Sequence, residues 1–401
     1  MTERWRGLLL GVALAGWGAV PGLAGDTGVG APTVREVGPL ERTEWVVRTG
    51  PGSLDRFTMT RLTRRHGGHR GIVLLLPPLG NPFGFFETDE SGDPLRSFAG
   101  ELALRGYEVW GYSPRETGLS VPACESGAED CSVMNGWGIA GVAADVELIR
   151  REIARLHPHE KPIVGGFSLG AMTTTAVINS HPEGYRAAMF FEGALYSADP
   201  AIRARNAVYC AQLEATLAAG IFYDGQTQPG IRFVAQLAAT DPDGLSPLPG
   251  LPPGTTNHQA LVAFLSLPQD GPLWPTPGYV RVAGSVAEDR FFFASDERVF
   301  VFSSLFNDYS ATRTIRDVSC SLAGESTFTG NLGAFTGPVY LLEGGLASVN
   351  EMEAQADLLG SSRITRNFIP EFGHADHWFA RAHRRVLEAD VLRWLRLVDG
   401  H

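Results

Sequence analysis

The sequence predicts an α/β fold: a mostly parallel sheet flanked by helices, with a mainly helical cap inserted into it. Three observations predict it. Ile72 to Leu76 (IVLLL) is an unbroken apolar run stopped by Pro77-Pro78, the pattern of a strand buried on both faces of a parallel sheet. Strand-like and helix-like segments then alternate as far as Phe191 and resume at Pro338, which predicts right-handed crossovers. Between them, residues 195–333 keep no strand–helix rhythm and carry Pro/Gly-rich stretches such as Ser246 to Gly254 (SPLPGLPPG).

In chain order, Arg4 and Arg6 precede an uncharged apolar run, Gly7 to Ala19, and small residues lead up to Ala24. This is the layout of a secretory signal peptide over 1–24, and the run is short for a membrane anchor. No later run is long and apolar enough to span a membrane, so the mature chain is expected to be secreted or periplasmic. Residues 25–43 are rich in Gly and Pro and read as a flexible leader. Glu44 to Arg48 and Phe57 to Leu62 read as strands, with the turn Arg64 to Arg70 between them and the Ile72 strand. His66 and His69 in that turn read as solvated.

Leu95 to Arg105 predicts a helix stopped by Gly106, and Tyr107 to Tyr112 a strand. Val142, Val146, Ile149, Ile153 and Leu156 recur at three- and four-residue steps, which predicts one long amphipathic helix from Ile139 to His157. Pro162 to Gly166 is then a strand, Leu169 to Asn179 a helix and Arg186 to Phe191 a strand. Helical patches are expected at 200–219, 256–266 and 296–308 within the cap. Pro338 to Leu342 resumes the sheet, followed by a helix near 349–359, a strand from Ile364 to Ile369 and a last helix from Val386 to Val398. The expected organisation is therefore a core of 44–194 and 334–401 around a cap of 195–333.

The chain has 401 residues, 44% of them hydrophobic and 19% charged, as expected of a folded globular protein. Its 33 Lys and Arg against 44 Asp and Glu give a net charge of -11, which argues against nucleic acid or an anionic membrane surface as partner. Four cysteines suit an oxidising compartment; the favoured pairing is Cys124 with Cys131 and Cys210 with Cys320. No cysteine–histidine spacing suggests zinc, and no cofactor motif stands out.

Gly166-Phe167-Ser168-Leu169-Gly170 is a Gly-x-Ser-x-Gly pentapeptide. Alone it is a weak signal in a chain with 48 glycines, so its context decides. Here Ser168 follows a short strand and opens a helix. That turn exposes the hydroxyl, and the small flanking residues let strand and helix approach. Serine needs a base, and His374 in Phe372-Gly373-His374-Ala375-Asp376-His377 follows the last expected strand. His377 is the nearby competitor, and Asp376 reads as a loop-stabilising group.

These residues resemble the α/β-hydrolase family over about 44–193 and 334–398: the strand–elbow–helix, the late Gly-His loop and the insertion between them. The resemblance implies a triad of Ser168, a carboxylate and His374 in that chain order. The family's commonest acid position, after the seventh strand, falls on Ala347 here. Some members take the acid from the end of the sixth strand, where Glu192 stands; Glu343, ending the next strand, is the alternative acid. The oxyanion hole implied by the resemblance uses the Leu169 N–H and one from the loop after the Ile72 strand. Proline has no N–H, so Leu79 is the first possible donor in Pro77-Pro78-Leu79-Gly80. Arg115 to Gly118 reads as structural.

The expected function is hydrolysis of a carboxylic ester, small or lipid-like, through an acyl-enzyme, with Phe264, Trp274, Phe291, Phe292 and Phe293 of the cap as candidates for an apolar acyl pocket. A peptidase or amidase on the same triad is the close alternative. A metallohydrolase using His374, Asp376 and His377, with His66 and His69 as extra candidates, would lose activity on chelation. A non-catalytic binding protein would not label with a fluorophosphonate.

Overall fold

The computed structural model describes residues 28–89, 91–120, 122–266, 290–347, 349–381 and 387–400. The signal-peptide assignment at 1–24 and Trp274 lie outside the described residues.

Nine strands line up in one sheet in the order β1-β3-β4-β6-β5-β7-β8-β11-β12, with β2 paired to β3 beside β1. With β2 the sheet has ten strands among the described residues: β1 (Gly28–Val29), β2 (Thr33–Val37), β3 (Leu40–Arg48), β4 (Arg56–Arg64), β5 (Gly71–Leu76), β6 (Tyr107–Ser113), β7 (Ile163–Phe167), β8 (Ala187–Phe191), β11 (Val339–Gly344) and β12 (Ile364–Ile369). A separate pair, β9 (Tyr223–Asp224) and β10 (Ser310–Ala311), is antiparallel. From β6 to β12 every pairing is parallel, while β2, β3 and β4 form an antiparallel edge.

The sheet divides the core as the pleat requires. Val73 and Leu75 of β5 face one layer, while Ile72, Leu74 and Leu76 face the other. Helices α2 (Ile139–Leu156) and α3 (Leu169–Ser180) cover the second face. The predicted stripe of α2 supplies Val146, Ile149 and Ile153, all fully buried there. Helices α1 (Phe98–Leu104) and α11 (Ala389–Asp399) cover the first face, with Phe98, Val391 and Leu395 packed against it.

The segment between β8 and β11 holds α4 (Pro200–Ala218), α5 (Thr227–Thr240), α6 (Asn257–Ser266), α7 (Asp296–Ser304) and α8 (Thr312–Ala323). Two of these, α5 and α8, have no counterpart in the sequence expectation. Most of the buried positions of α8 are Ser, Thr, Asp or Cys, so an apolar period does not reveal it. Disulfides join Cys124 to Cys131 and Cys210 to Cys320, the second tying α4 to α8. After β11 come α9 (Val349–Ala356) and the short α10 (Asp376–Phe379).

The flexible leader expected at 25–43 needs correction. Residues 33–37 and 40–48 form a hairpin, in register from Thr33 opposite Glu44 to Val37 opposite Leu40. Gly38 and Pro39 make its turn, Gly38 at φ 57, and Leu40 is fully buried. The Gly and Pro that suggested looseness are turn residues, and the core begins before residue 44.

Candidate active site

Ser168 stands between β7 and α3 with φ 56 and ψ -117, a backbone conformation rarely adopted by a residue with a side chain. The pentapeptide allows it. A Cβ at Gly166 would collide with the backbone of Gly170, and one at Gly170 would collide with the Leu76 carbonyl. The Ser168 N–H donates to the Phe191 carbonyl at 2.8 Å, which pins the elbow to the end of β8.

Glu192 is the next residue after β8. It too has positive φ, 54, and its N–H donates to the Leu342 carbonyl of β11 at 3.1 Å. The two strained residues therefore sit side by side at the C-terminal ends of neighbouring parallel strands, where open α/β sheets place their sites. His374 arrives from the loop after β12. Its Nε2 is 2.9 Å from Ser168 Oγ, and its Nδ1 is 3.9 Å from Glu192 Oε2. Its ring stacks on Phe167, centroids 5.0 Å apart. Phe167 belongs to the elbow itself, so one element carries the hydroxyl and the surface on which the imidazole rests.

The remaining oxygen of Glu192 is also engaged. Oε1 accepts from the Gly344 N–H and lies 3.0 Å from His377 Nε2. A carboxylate only accepts, so His377 carries its proton on Nε2. His377 is fully buried, its ring edge-on to Phe372 with centroids 5.0 Å apart. Its Nδ1 has no hydrogen-bond partner among the described residues. Burial pushes the His374 imidazole down to about 3. Burial, then the charge of His374, does the same to His377. Both rings are thus held neutral, the form in which His374 can accept a proton.

Asp376 Oδ2 accepts from the Gly373 N–H at 2.6 Å and so braces the turn that presents His374. His374 and His377 therefore share Glu192, while Asp376 faces the Gly373 N–H. Glu343 is buried at the end of β11, and burial followed by the charge of Glu353 pushes its carboxyl up to about 8; Arg366 acts the other way. It responds to charges on α9 and β12.

Leu79 and Leu169 line one cavity of about 30 Å³, together with Pro77, Pro78 and Tyr309. Pro78 to Asn81 form a turn closed by the Asn81 N–H on the Pro78 carbonyl at 3.2 Å, a bond that does not use the Leu79 N–H. The Leu169 N–H, in the first turn of α3, is likewise outside the helix's own ladder. Arg115 binds both oxygens of buried Asp145, at 2.6 and 2.9 Å, a structural clamp on α2.

The segment before and within α7 packs on the histidine loop. The Ser295 N–H donates to the Phe379 carbonyl at 3.0 Å and Arg298 Nε to the Trp378 carbonyl at 2.7 Å. Of the aromatic residues considered for an acyl pocket, Phe291 is buried in the core, Phe264 and Phe292 are exposed, and Phe293 packs against Phe372 with tilted rings, centroids 4.4 Å apart. Sequence reasoning placed His377 as a rival base and as a metal-ligand candidate, not as a partner of Glu192. Its place three residues after His374 in the same short loop was the signal that both rings could reach one carboxylate.

No family model matches the chain, and no curated protein does. Solved structures do. A candidate lipase from Sulfolobus solfataricus superimposes with a TM-score of 0.65 at 16% identity, covering 92% of this chain and 99% of its own. A thermostable carboxyl esterase from Bacillus coagulans gives 0.52 at 13% identity, covering 89% and 99%. A lipase in an open form gives 0.50 at 17% identity, covering 92% and 100%. The chain has the α/β-hydrolase fold. Among the described residues, no helix is long and apolar enough to cross a membrane.

Proposed function

We propose that this α/β-hydrolase chain is a secreted serine hydrolase that cleaves a carboxylic ester through an acyl-enzyme. The observation that carries the reading is the 2.9 Å approach of His374 Nε2 to the hydroxyl of Ser168 on a strained strand-to-helix turn. Neutral His374 takes the Ser168 proton as Oγ attacks the ester carbonyl. The imidazolium so formed has the Glu192 carboxylate beside its Nδ1 edge, and contacts of this kind tighten once substrate is bound. Leu79 and Leu169 N–H groups hold the oxyanion. His374 returns the proton to the leaving alkoxide, and water, activated by the same ring, releases the acid.

Glu192 is the proposed acid and Glu343 is not, because the Glu192 carboxylate lies against both histidines while Glu343 answers to Glu353 and Arg366. His377 and the Gly344 N–H hold Oε1, so His377 acts as a positioning residue for Glu192. The segment 195–333 is proposed to cap the site and select the acyl group. Two disulfides favour an oxidising compartment. The test is a panel of aryl esters of increasing acyl length, with peptide amides alongside, on wild type and Ser168→Ala. Ester turnover that vanishes in the variant is expected; unchanged turnover would refute the proposal.

A further inference from the structure

The turn before β5 and the turn after α2 meet at the N-terminal ends of β5, β6 and β7. His69 comes from the first, and His157 and Glu160 from the second. Their ligand-capable atoms all lie within 4.8 Å of one another. His69 Nε2 is 3.0 Å from each oxygen of Glu160, and His157 Nδ1 is 3.8 Å from Glu160 Oε1. The two rings meet edge to face, centroids 4.9 Å apart.

The protonation of His157 is fixed from behind. Glu108, a buried residue of β6, accepts from Trp110 Nε1 at 2.7 Å and faces His157 Nε2 at 3.0 Å through the same oxygen. A carboxylate has no proton to give, so His157 carries a proton on Nε2, and its Nδ1 edge faces His69 and Glu160. At 3.8 Å His157 Nδ1 makes no hydrogen bond with the Glu160 carboxylate and lies at ligand-sharing distance from it. A divalent cation placed between them would be ligated by both, and by His69 Nε2 beside them. A buried carboxylate holding the far nitrogen of a ligand histidine is the usual support of such a site.

We propose that His69 Nε2, His157 Nδ1 and the Glu160 carboxylate form a zinc-class divalent metal site, oriented by Glu108 and completed by water on its exposed side. Ligand bonds of about 2.0–2.2 Å place ligand atoms roughly 3.4 Å apart around a tetrahedral ion, inside the spread observed here. The site is structural. It lies at the opposite end of β7 from Ser168, about 16 Å away along a five-residue strand. By clipping the entry turns of β5 and β7 together it stabilises the sheet without touching the reaction, and it is independent of the proposed hydrolase activity.

The experiment is calorimetric titration of zinc chloride into the full chain, prepared without a histidine tag and stripped with chelator. Wild type, His69→Ala, His157→Ala and, as control, His66→Ala on the same exposed turn are compared. One zinc per chain is expected, with Kd raised at least tenfold in His69→Ala and His157→Ala and unchanged in His66→Ala. Saturating zinc should also raise the wild-type Tm by roughly 2–6 °C. His69 is on an exposed loop, so its variant remains informative if His157→Ala misfolds. Absence of saturable uptake, or uptake indifferent to His69→Ala, would overturn the proposal.

Discussion

Glu192 Oε1 lies 3.0 Å from His377 Nε2, nearer than Glu192 Oε2 lies to His374 Nδ1, at 3.9 Å. The carboxylate is therefore anchored by one histidine and offered to the other. A buried imidazole nitrogen such as His377 Nδ1, with no hydrogen-bond partner among the described residues, costs on the order of 1–3 kcal/mol when left unsatisfied. His377→Phe should lower kcat about tenfold with little change in KM, since the side chain acts through Glu192 and not on substrate. His377→Gln, which restores an N–H donor, should recover most of the loss. Equal effects of the two substitutions on Tm alone, with kcat untouched, would show a purely structural role.

Glu192→Gln should reduce kcat by about 10²- to 10⁴-fold, as removal of a triad carboxylate does. Glu343→Gln should leave kcat within a few-fold of wild type. Steady-state kinetics on one aryl ester separates the two; a larger loss in the Glu343 variant would move the acid to β11.

The centre of the sheet was legible in the sequence because strands such as β5 and β8 are unbroken apolar runs. Ile72 to Leu76 shows its burial on both faces directly. The elbow was legible because Gly166 and Gly170 are required by backbone contacts at that turn. The hairpin of β2 and β3 was not, because the exposed β2 offers no apolar alternation and its turn residues look like a linker. Helix α8 was hidden by its polar buried face. The second contact of Glu192 was hidden too: a sequence orders His374 and His377 along a chain but does not say that a turn, and the four-residue helix after it, bring both to one carboxylate.

The pH dependence follows from burial. His374 and His377 are held at about 3 in the folded chain against an ordinary 6.5. Between those values the unfolded chain binds protons that the native chain refuses, so stability falls as pH drops from about 6.5 toward 3. Chemical denaturation at pH 7, 5 and 4 should show this decline. The acid limb of kcat/KM, which reports His374 in the free enzyme, should lie below pH 5. A limb near 6.5 would mean the ring is solvated.

The Cys210–Cys320 bond closes a loop of 110 residues and fastens α4 to α8. Cys210→Ser with Cys320→Ser should cost about 2–4 kcal/mol in unfolding free energy, and removing the short Cys124–Cys131 loop should cost less. Urea denaturation of the two double variants gives the ranking.

The most direct test of the account is covalent. A fluorophosphonate probe should add one equivalent to the folded chain, and mass spectrometry of the digest should place it on the peptide containing Ser168. Labelling should disappear in Ser168→Ala and slow greatly in a His374 variant, where the base is gone. A chain that stays unlabelled, or that labels equally well without Ser168, would contradict the assignment of this serine as nucleophile.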